Sequence, residues 1–281
     1  MENGKSHGKK GFTLSNLLLE GSLGVFLAVV LFVVFIIIFS DGFLTSSNFF
    51  ATSRAFSLWI VVGLGCGAFN GLIIVLTGIN AFIVTLGTTS VFTGLNYGLT
   101  HSLPFSNIPE TFTFIGKEKV LGTIPVLFFV MAVISFILYL MFRHTVIGRR
   151  ILATGGNRDA AVLSGINTKR ITFFVHMLSG VFAGIGGVLF VARLGAAHPT
   201  IGQNWLLMSF AVPIIGGTTL QGGKMSIIGA VLGGILMTLI SNGLVLLQVD
   251  IFWEQFFLGL IVLLAVGVDR ARTVYAEKRL Y

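Results

Sequence analysis

The chain carries ten carboxylates, five histidines and one cysteine, Cys66. These are the side chains able to do acid–base, metal or nucleophilic chemistry. No two carboxylates are spaced for general acid–base work on one substrate. No His-Glu-x-x-His occurs, and His101 and His198 stand too far apart to suggest a metal site. A lone cysteine excludes a disulfide framework and a cysteine-based zinc site. The nearest approach to a catalytic motif is Gly217-Thr218-Thr219-Leu220-Gln221-Gly222-Gly223-Lys224-Met225. A phosphate-binding loop needs Lys directly after its second Gly, then a hydroxyl to hold Mg²⁺. Here Gly223 intervenes, Met225 replaces the hydroxyl, and no strand precedes the stretch. ATP hydrolysis by this route is excluded.

The elements that would position any site are membrane spans. Of 281 residues, 55% are hydrophobic and only 10% charged, against about 25% charged in soluble domains. A mean hydropathy of +0.97 leaves too few polar side chains to cover a water-facing surface. That excludes a soluble enzyme, a disordered tail and a nucleic-acid-binding domain, despite a net charge of +8. Apolar runs near the ~20 residues needed to cross a bilayer are Ser22–Phe39, Leu58–Leu76, Phe82–Leu99, Ile124–Phe142, Ile171–Val191, Trp205–Leu220, Ile227–Leu247 and Phe252–Val268. The expected fold is therefore an all-α polytopic transmembrane bundle of about eight spans. Gly, Thr and Pro interrupt Phe82–Leu99 and Trp205–Leu220, which predicts irregular or broken helices there. Ser22–Phe39 is long for a signal peptide and lacks a small-residue cleavage site, so it reads as a retained first helix.

With the N-terminus inside, fourteen of the eighteen Lys and Arg fall on the cytoplasmic side. Arg54, Lys117, Lys119 and Arg193 fall outside. This positive-inside bias makes both termini cytoplasmic. It divides the single domain, residues 1–281, into a tail over 1–20, a cytoplasmic loop over 143–170 and a tail over 269–281. No acid sits at the middle of a span, which argues against an ion-coupled carrier. His176, about one turn inside its helix, reads as an interfacial imidazole bonded to a neighbour, with a proton relay as the alternative.

Gly63, Gly67 and Gly71, Gly180 with Gly184, and Gly229 with Gly233 form small-xxx-small stripes that let helices approach closely. Uncharged polar residues gather at Thr85-Leu86-Gly87-Thr88-Thr89-Ser90, with Asn96 and Tyr97 beyond, and at Gly216-Gly217-Thr218-Thr219. Such groups suit a neutral hydroxylated solute held by transient hydrogen bonds. Equally, the hydroxyls can bond back to their own helix. In the cytoplasmic loop, Asn157 is a plausible N-cap, Arg158–Leu163 a short helix and Gly165 its stop. That is either a docking element or a basic loop that only fixes topology.

The loop resembles the membrane permeases of bacterial ABC importers for ribose and related sugars. The likeness lies in Ile147-Gly148-Arg149-Arg150, Gly155-Gly156-Asn157, Ala160-Ala161 and Ser164-Gly165-Ile166. It continues through Val191-Ala192-Arg193-Leu194, Pro199-Thr200-Ile201-Gly202, Gly216 to Lys224 and Asn242-Gly243-Leu244. The resemblance implies cytoplasmic ATP-binding subunits, which would hold the ATP, and an external sugar-binding protein. It also implies pairing as a homodimer or with a paralogous permease in the bacterial inner membrane. It assigns Arg149, Gly156, Asn157, Ala160, Ala161, Gly165 and Ile166 to coupling with the ATPase. It puts Phe82, Thr85, Thr88, Thr89, Asn96, Gly216, Gly217 and Thr218 near the translocation path. Neither cofactor nor metal is implied for the chain itself. One departure stands out: the family's Ser-Gly-Ile-Asp-Leu-Ser stretch is absent, and about two helices, roughly forty residues, are missing between Phe50 and Leu58. The competing readings are a stand-alone sugar facilitator and an internally deleted, inactive permease.

Overall fold

The computed structural model describes residues 46–106, 108–120, 123–203, 205–219 and 222–250. It also describes 253, 256–257, 259–260, 263–264 and 267 of a further segment. The expected first span Ser22–Phe39, most of Phe252–Val268 and both predicted tails lie outside the described residues.

The described residues are mostly helical. The helices are α1 (Ser46–Thr77), α2 (Ala81–Thr100), α3 (Glu110–Lys117), α4 (Val126–His144), α5 (Val146–Gly156), α6 (Arg158–Leu163), α7 (Thr168–Leu194), α8 (Trp205–Ile215) and α9 (Ile227–Leu246). One short antiparallel ladder, β1 (Lys119–Val120) with β2 (Ile124–Pro125), joins α3 to α4. Among the described residues, four helical stretches are long and apolar enough to cross a bilayer: Ser57–Thr77, Val126–His144, Thr168–Leu194 and Ile227–Leu246.

The seam between α1 and α7 holds this part of the molecule together, and glycine makes it possible. The helices run antiparallel with their backbones in contact. A Cβ on Gly63 would strike the Gly180 carbonyl, and one on Gly67 would strike the His176 carbonyl. One on Gly184 would lie 2.7 Å from the Trp59 oxygen. Gly71 faces His176 and Phe173. The stripes read from the sequence are thus two halves of one contact. Within it, His176 Nδ1–H donates to the Thr172 carbonyl at 2.8 Å, as expected for a satisfied imidazole. At the outer end of this pair, meaning the end remote from α5 and α6, α3 lies across α7. Phe112 packs with Val188 and Ala192, and a Cβ on Gly116 would fall on the backbone of Ala192 and Arg193.

Two elements differ from expectation. Phe82–Leu99 is not broken: α2 is one continuous helix of 20 residues. The hydroxyls that suggested irregularity feed the helix instead. Thr85, Thr89 and Ser90 donate to carbonyls four residues back, at 2.9, 2.7 and 3.4 Å, and Gly87, Gly94 and Gly98 face open space. Trp205–Leu220 does break. Its helix α8 contains Pro213 and ends at Ile215. The chain then turns through Gly216 and Gly217 (φ +81°) and meets α9, with Gly216 backbone-to-backbone on Gly229. A Cβ on Gly233 would strike the Val212 carbonyl, which completes a second glycine seam.

Candidate functional site

The connection between α4 and α7 is a folded unit rather than a loop. Thr145 caps α5, its hydroxyl accepting from Gly148 N at 3.1 Å. Gly148 is buried against the end of α4, where a Cβ would lie 2.5 Å from the Phe142 Cα. Arg149 reaches back, its Nη1 within 3.5 Å of the His144 carbonyl. A cation near the last carbonyls of a helix interacts favourably with its dipole. At its other end, α5 stops at Gly155-Gly156, and Asn157 begins α6 by accepting from Ala160 N at 2.9 Å.

Helix α6 has the bounds, cap and stop anticipated from the sequence. Gly165 takes φ +78°, and the bonds Gly165 N→Val162 O (2.9 Å) and Ile166 N→Ala161 O (3.0 Å) close a Schellman motif. Ala161 turns inward at 3% exposed, whereas Val162 is 55% and Leu163 89% exposed. Asn167 then caps α7, accepting from Arg170 N at 3.0 Å. All seven residues that the resemblance assigned to coupling therefore lie in one compact, fully capped element. Its apolar tip, Val162 and Leu163, is exposed.

The residues assigned to the path divide. On α2, Thr85, Thr88 and Asn96 lie on the packed face, and Thr88 is buried. Thr89 and Phe82 lie off it, with Phe82 edge-on to Phe210 of α8 at 5.8 Å between centroids. The Asn96 amide donates to the Pro199 carbonyl at 3.1 Å. Gln203 bonds the hydroxyl of the next residue, Tyr97. Together these contacts tie the outer end of α2 to the connection that feeds α8. Gly216, Gly217 and Thr218 sit at the opposite end, in the turn after α8, where Thr218 N donates to the Pro213 carbonyl and its hydroxyl accepts from Ser226 N at 3.3 Å. Asn96 and the Gly216–Thr218 turn thus mark opposite ends of neighbouring helices, while Phe82, Thr85, Thr88 and Thr89 lie in the first half of α2.

The sequence did not point to a cavity of about 640 Å³ at the outer end. Trp59, Phe105 and Phe112 supply its apolar wall; Asn96, Thr100 and His198 supply polar groups. Among the described residues, no Asp, Glu, Lys or Arg lines it. Its parts come from α1, α2, α3, α7 and the 195–204 connection, and Phe105 and Ala197 exchange backbone bonds of 2.9 and 2.8 Å across it. Residues so distant in sequence leave no local signal.

Comparison with known proteins agrees with this architecture. Residues 11–266 match the family described as the permease component of the branched-chain amino acid transport system. The D-allose transport system permease protein of Escherichia coli K12 is 36% identical over 212 residues, covering 75% of this chain and 64% of that protein. The ribose import permease protein of the same strain is 34% identical over 217 residues, covering 76% and 67%. Its galactose/methyl galactoside import permease protein is 33% identical over 225 residues, covering 78% and 66%. The matches thus span about two thirds of these relatives' length. No solved structure matches. Apolar helices of membrane-crossing length and bacterial permease relatives make this a multi-pass protein of the bacterial inner membrane. The chain belongs to the family of transport-system permease components that takes its description from branched-chain amino acid transport and whose members include sugar import permeases.

Proposed function

We propose that this chain is the membrane subunit of an ATP-driven importer for a neutral sugar, working with a separate ATP-binding subunit and an external sugar-binding protein. In this reading it spans the membrane about eight times with both termini in the cytoplasm. It pairs with a second copy or a paralogue, and the α5–α6 unit receives the ATPase. The observation that carries the reading is the capped helix α6. It leaves Val162 and Leu163 exposed, in a segment that also carries Arg149, Arg150, Arg158, Lys169 and Arg170. An exposed apolar tip held rigidly at the basic, positive-inside end is built to be covered by a protein. Allose, ribose and galactose relatives support a sugar, and the uncharged cavity wall fits one. Among the described residues no Asp, Glu, Lys or Arg lines that wall, which disfavours a charged amino acid, since that would ask for countercharges.

The test is co-purification. Expressed with an ATPase subunit from a related importer operon, the chain should leave the membrane in one complex. That complex should be lost when residues 157–165 are replaced by a Gly-Ser linker. Good membrane expression without any complex would overturn the coupling reading. It would favour an internally deleted permease, the reading motivated by the missing Ser-Gly-Ile-Asp-Leu-Ser stretch.

A further inference from the structure

The near-miss phosphate loop has a structural partner. Gly222 and Gly223 take φ +87° and +78°, and both press on the end of α5. A Cβ on Gly223 would lie 2.7 Å from the Gly156 Cα. In return, a Cβ on Gly155 would lie 3.2 Å from Gly223 N, and one on Gly156 3.4 Å from the Gly223 Cα. Four glycines thus bring two backbones together that a side chain would hold apart. The turn is braced on its own side. Gly222 N donates to the Thr219 carbonyl at 3.2 Å, and the Thr219 hydroxyl donates to the Gly222 carbonyl at 2.9 Å. Ser226 bonds Thr218 and caps α9 through Gly229 N at 3.0 Å. Meanwhile α5 is a rod of eleven residues, about 16 Å long, seated at its start on α4 through Gly148.

We infer that the Gly222–Gly223 turn is the seat through which displacement of α6 reaches the α8–α9 hairpin, making Gly222 and Gly223 positioning residues for coupling. The inference rests on the coupling reading above and adds the route. Force applied to α6 travels along α5 and divides between the ends of α4 and α9. The hairpin holding Gly216–Thr218 therefore moves with the docked subunit. Close-packed backbones transmit such shifts because they have no compliant side chain between them.

The experiment compares Gly223→Ala with Gly78→Ala in the full complex with its ATPase. Gly78 has the same kind of backbone (φ +71°) but open space around it, so it isolates strain from contact. The expected result is that both variants assemble with the ATPase and keep basal hydrolysis. Sugar-stimulated hydrolysis over basal should fall at least fivefold in Gly223→Ala and less than twofold in Gly78→Ala. Equal ratios in the two variants would overturn the seat while leaving the coupling reading standing. Failure of the unsubstituted chain to bind any ATPase would instead overturn the coupling reading, and this inference with it. If Gly223→Ala does not assemble, spin-label distances decide in a Cys66→Ser background carrying Ala153→Cys on α5 and Ile228→Cys on α9, both exposed positions away from the docking tip. The separation should stay constant on adding a non-hydrolysable ATP analogue, and a change beyond about 5 Å would overturn the seat.

Discussion

Replacing Gly67 by alanine puts a methyl group into the α1–α7 seam, on the His176 carbonyl and 3.1 Å from the Gly180 Cα. Both obstacles are backbone, so no rotamer change relieves them. Ordinary Cβ contacts begin near 3.4 Å, and the helices must separate locally by roughly 1 Å. A gap of that size forfeits a quarter to a half of each dispersion contact across it. For about 40 atom pairs at ~0.15 kcal/mol each, the loss is about 1.5–3 kcal/mol, within the usual range for overpacked interiors. Gly65→Ala is the matched control. It lies two residues away on the same helix with nothing within 4 Å, and alanine's higher helix propensity makes it neutral or slightly stabilising. Gly180→Ala meets the same seam from the other side, its Cβ 2.9 Å from the Gly67 Cα. Once the helices are apart, a second methyl enters at lower cost, so the double variant should lose less than the sum of the singles by about 1 kcal/mol or more. Thermal unfolding in mild detergent, followed by tryptophan emission, reads this out, because Trp59 sits at the crossing. A loss of about 2 kcal/mol corresponds to roughly 4–8 °C in Tm. Equal Tm values for Gly65→Ala and Gly67→Ala, or strictly additive singles, would refute the backbone-contact account.

Other expectations follow from the α4–α7 unit and from α2. Asn157→Ala removes the cap of α6 at a cost of about 1 kcal/mol, so ATPase co-purification weakens while membrane insertion, scored by protease protection, does not change. Gly156→Asp or Arg149→Glu should abolish sugar-stimulated ATP hydrolysis with insertion intact, and normal stimulation in both would count against the coupling assignment. Thr88→Val keeps the shape of a buried side chain and removes a hydroxyl that donates to the Thr85 carbonyl at 3.1 Å. Stability should change by less than about 1 kcal/mol, so a several-fold drop in labelled-ribose uptake at equal expression would place Thr88 on the sugar's route. Asn96→Ala unties α2 from Pro199 and should reduce uptake more than Thr89→Ala, whose side chain lies off the packed face.

How much of this was legible depended on where the determining forces act. Helix α6 could be read from Asn157 and Gly165 because its ends are set by residues inside the helix and its caps. Helix α5 could not: Val146–Gly156 is short, basic and glycine-ended, and its order comes from Gly148 on α4 and Gly155-Gly156 on a turn some 66 residues downstream. The expectation for α2 failed because hydroxyls were weighed as helix breakers, whereas in an apolar helix they bond back to the preceding turn. Helix α3 was overlooked for want of length. Its signal was Phe112 and Gly116, one helical turn apart, both facing α7. The glycine stripes were visible individually, but only packing could pair them. Of the candidate path, the polar residues of α2 were visible, and the aromatic cavity above them was not.

The self-sufficiency of α6 has an evolutionary corollary. Its hydrogen bonds are closed by Asn157 at one end and by Gly165 and Ile166 at the other, and its only deeply buried side chain is Ala161. Side chains at 158, 159, 162 and 163 can therefore drift without a folding penalty. If α6 receives the ATPase as proposed, a permease built this way can acquire a new ATPase, or refuse a neighbouring system's, through a few substitutions at an exposed tip. The specificity of subunit pairing can thus evolve separately from the membrane core.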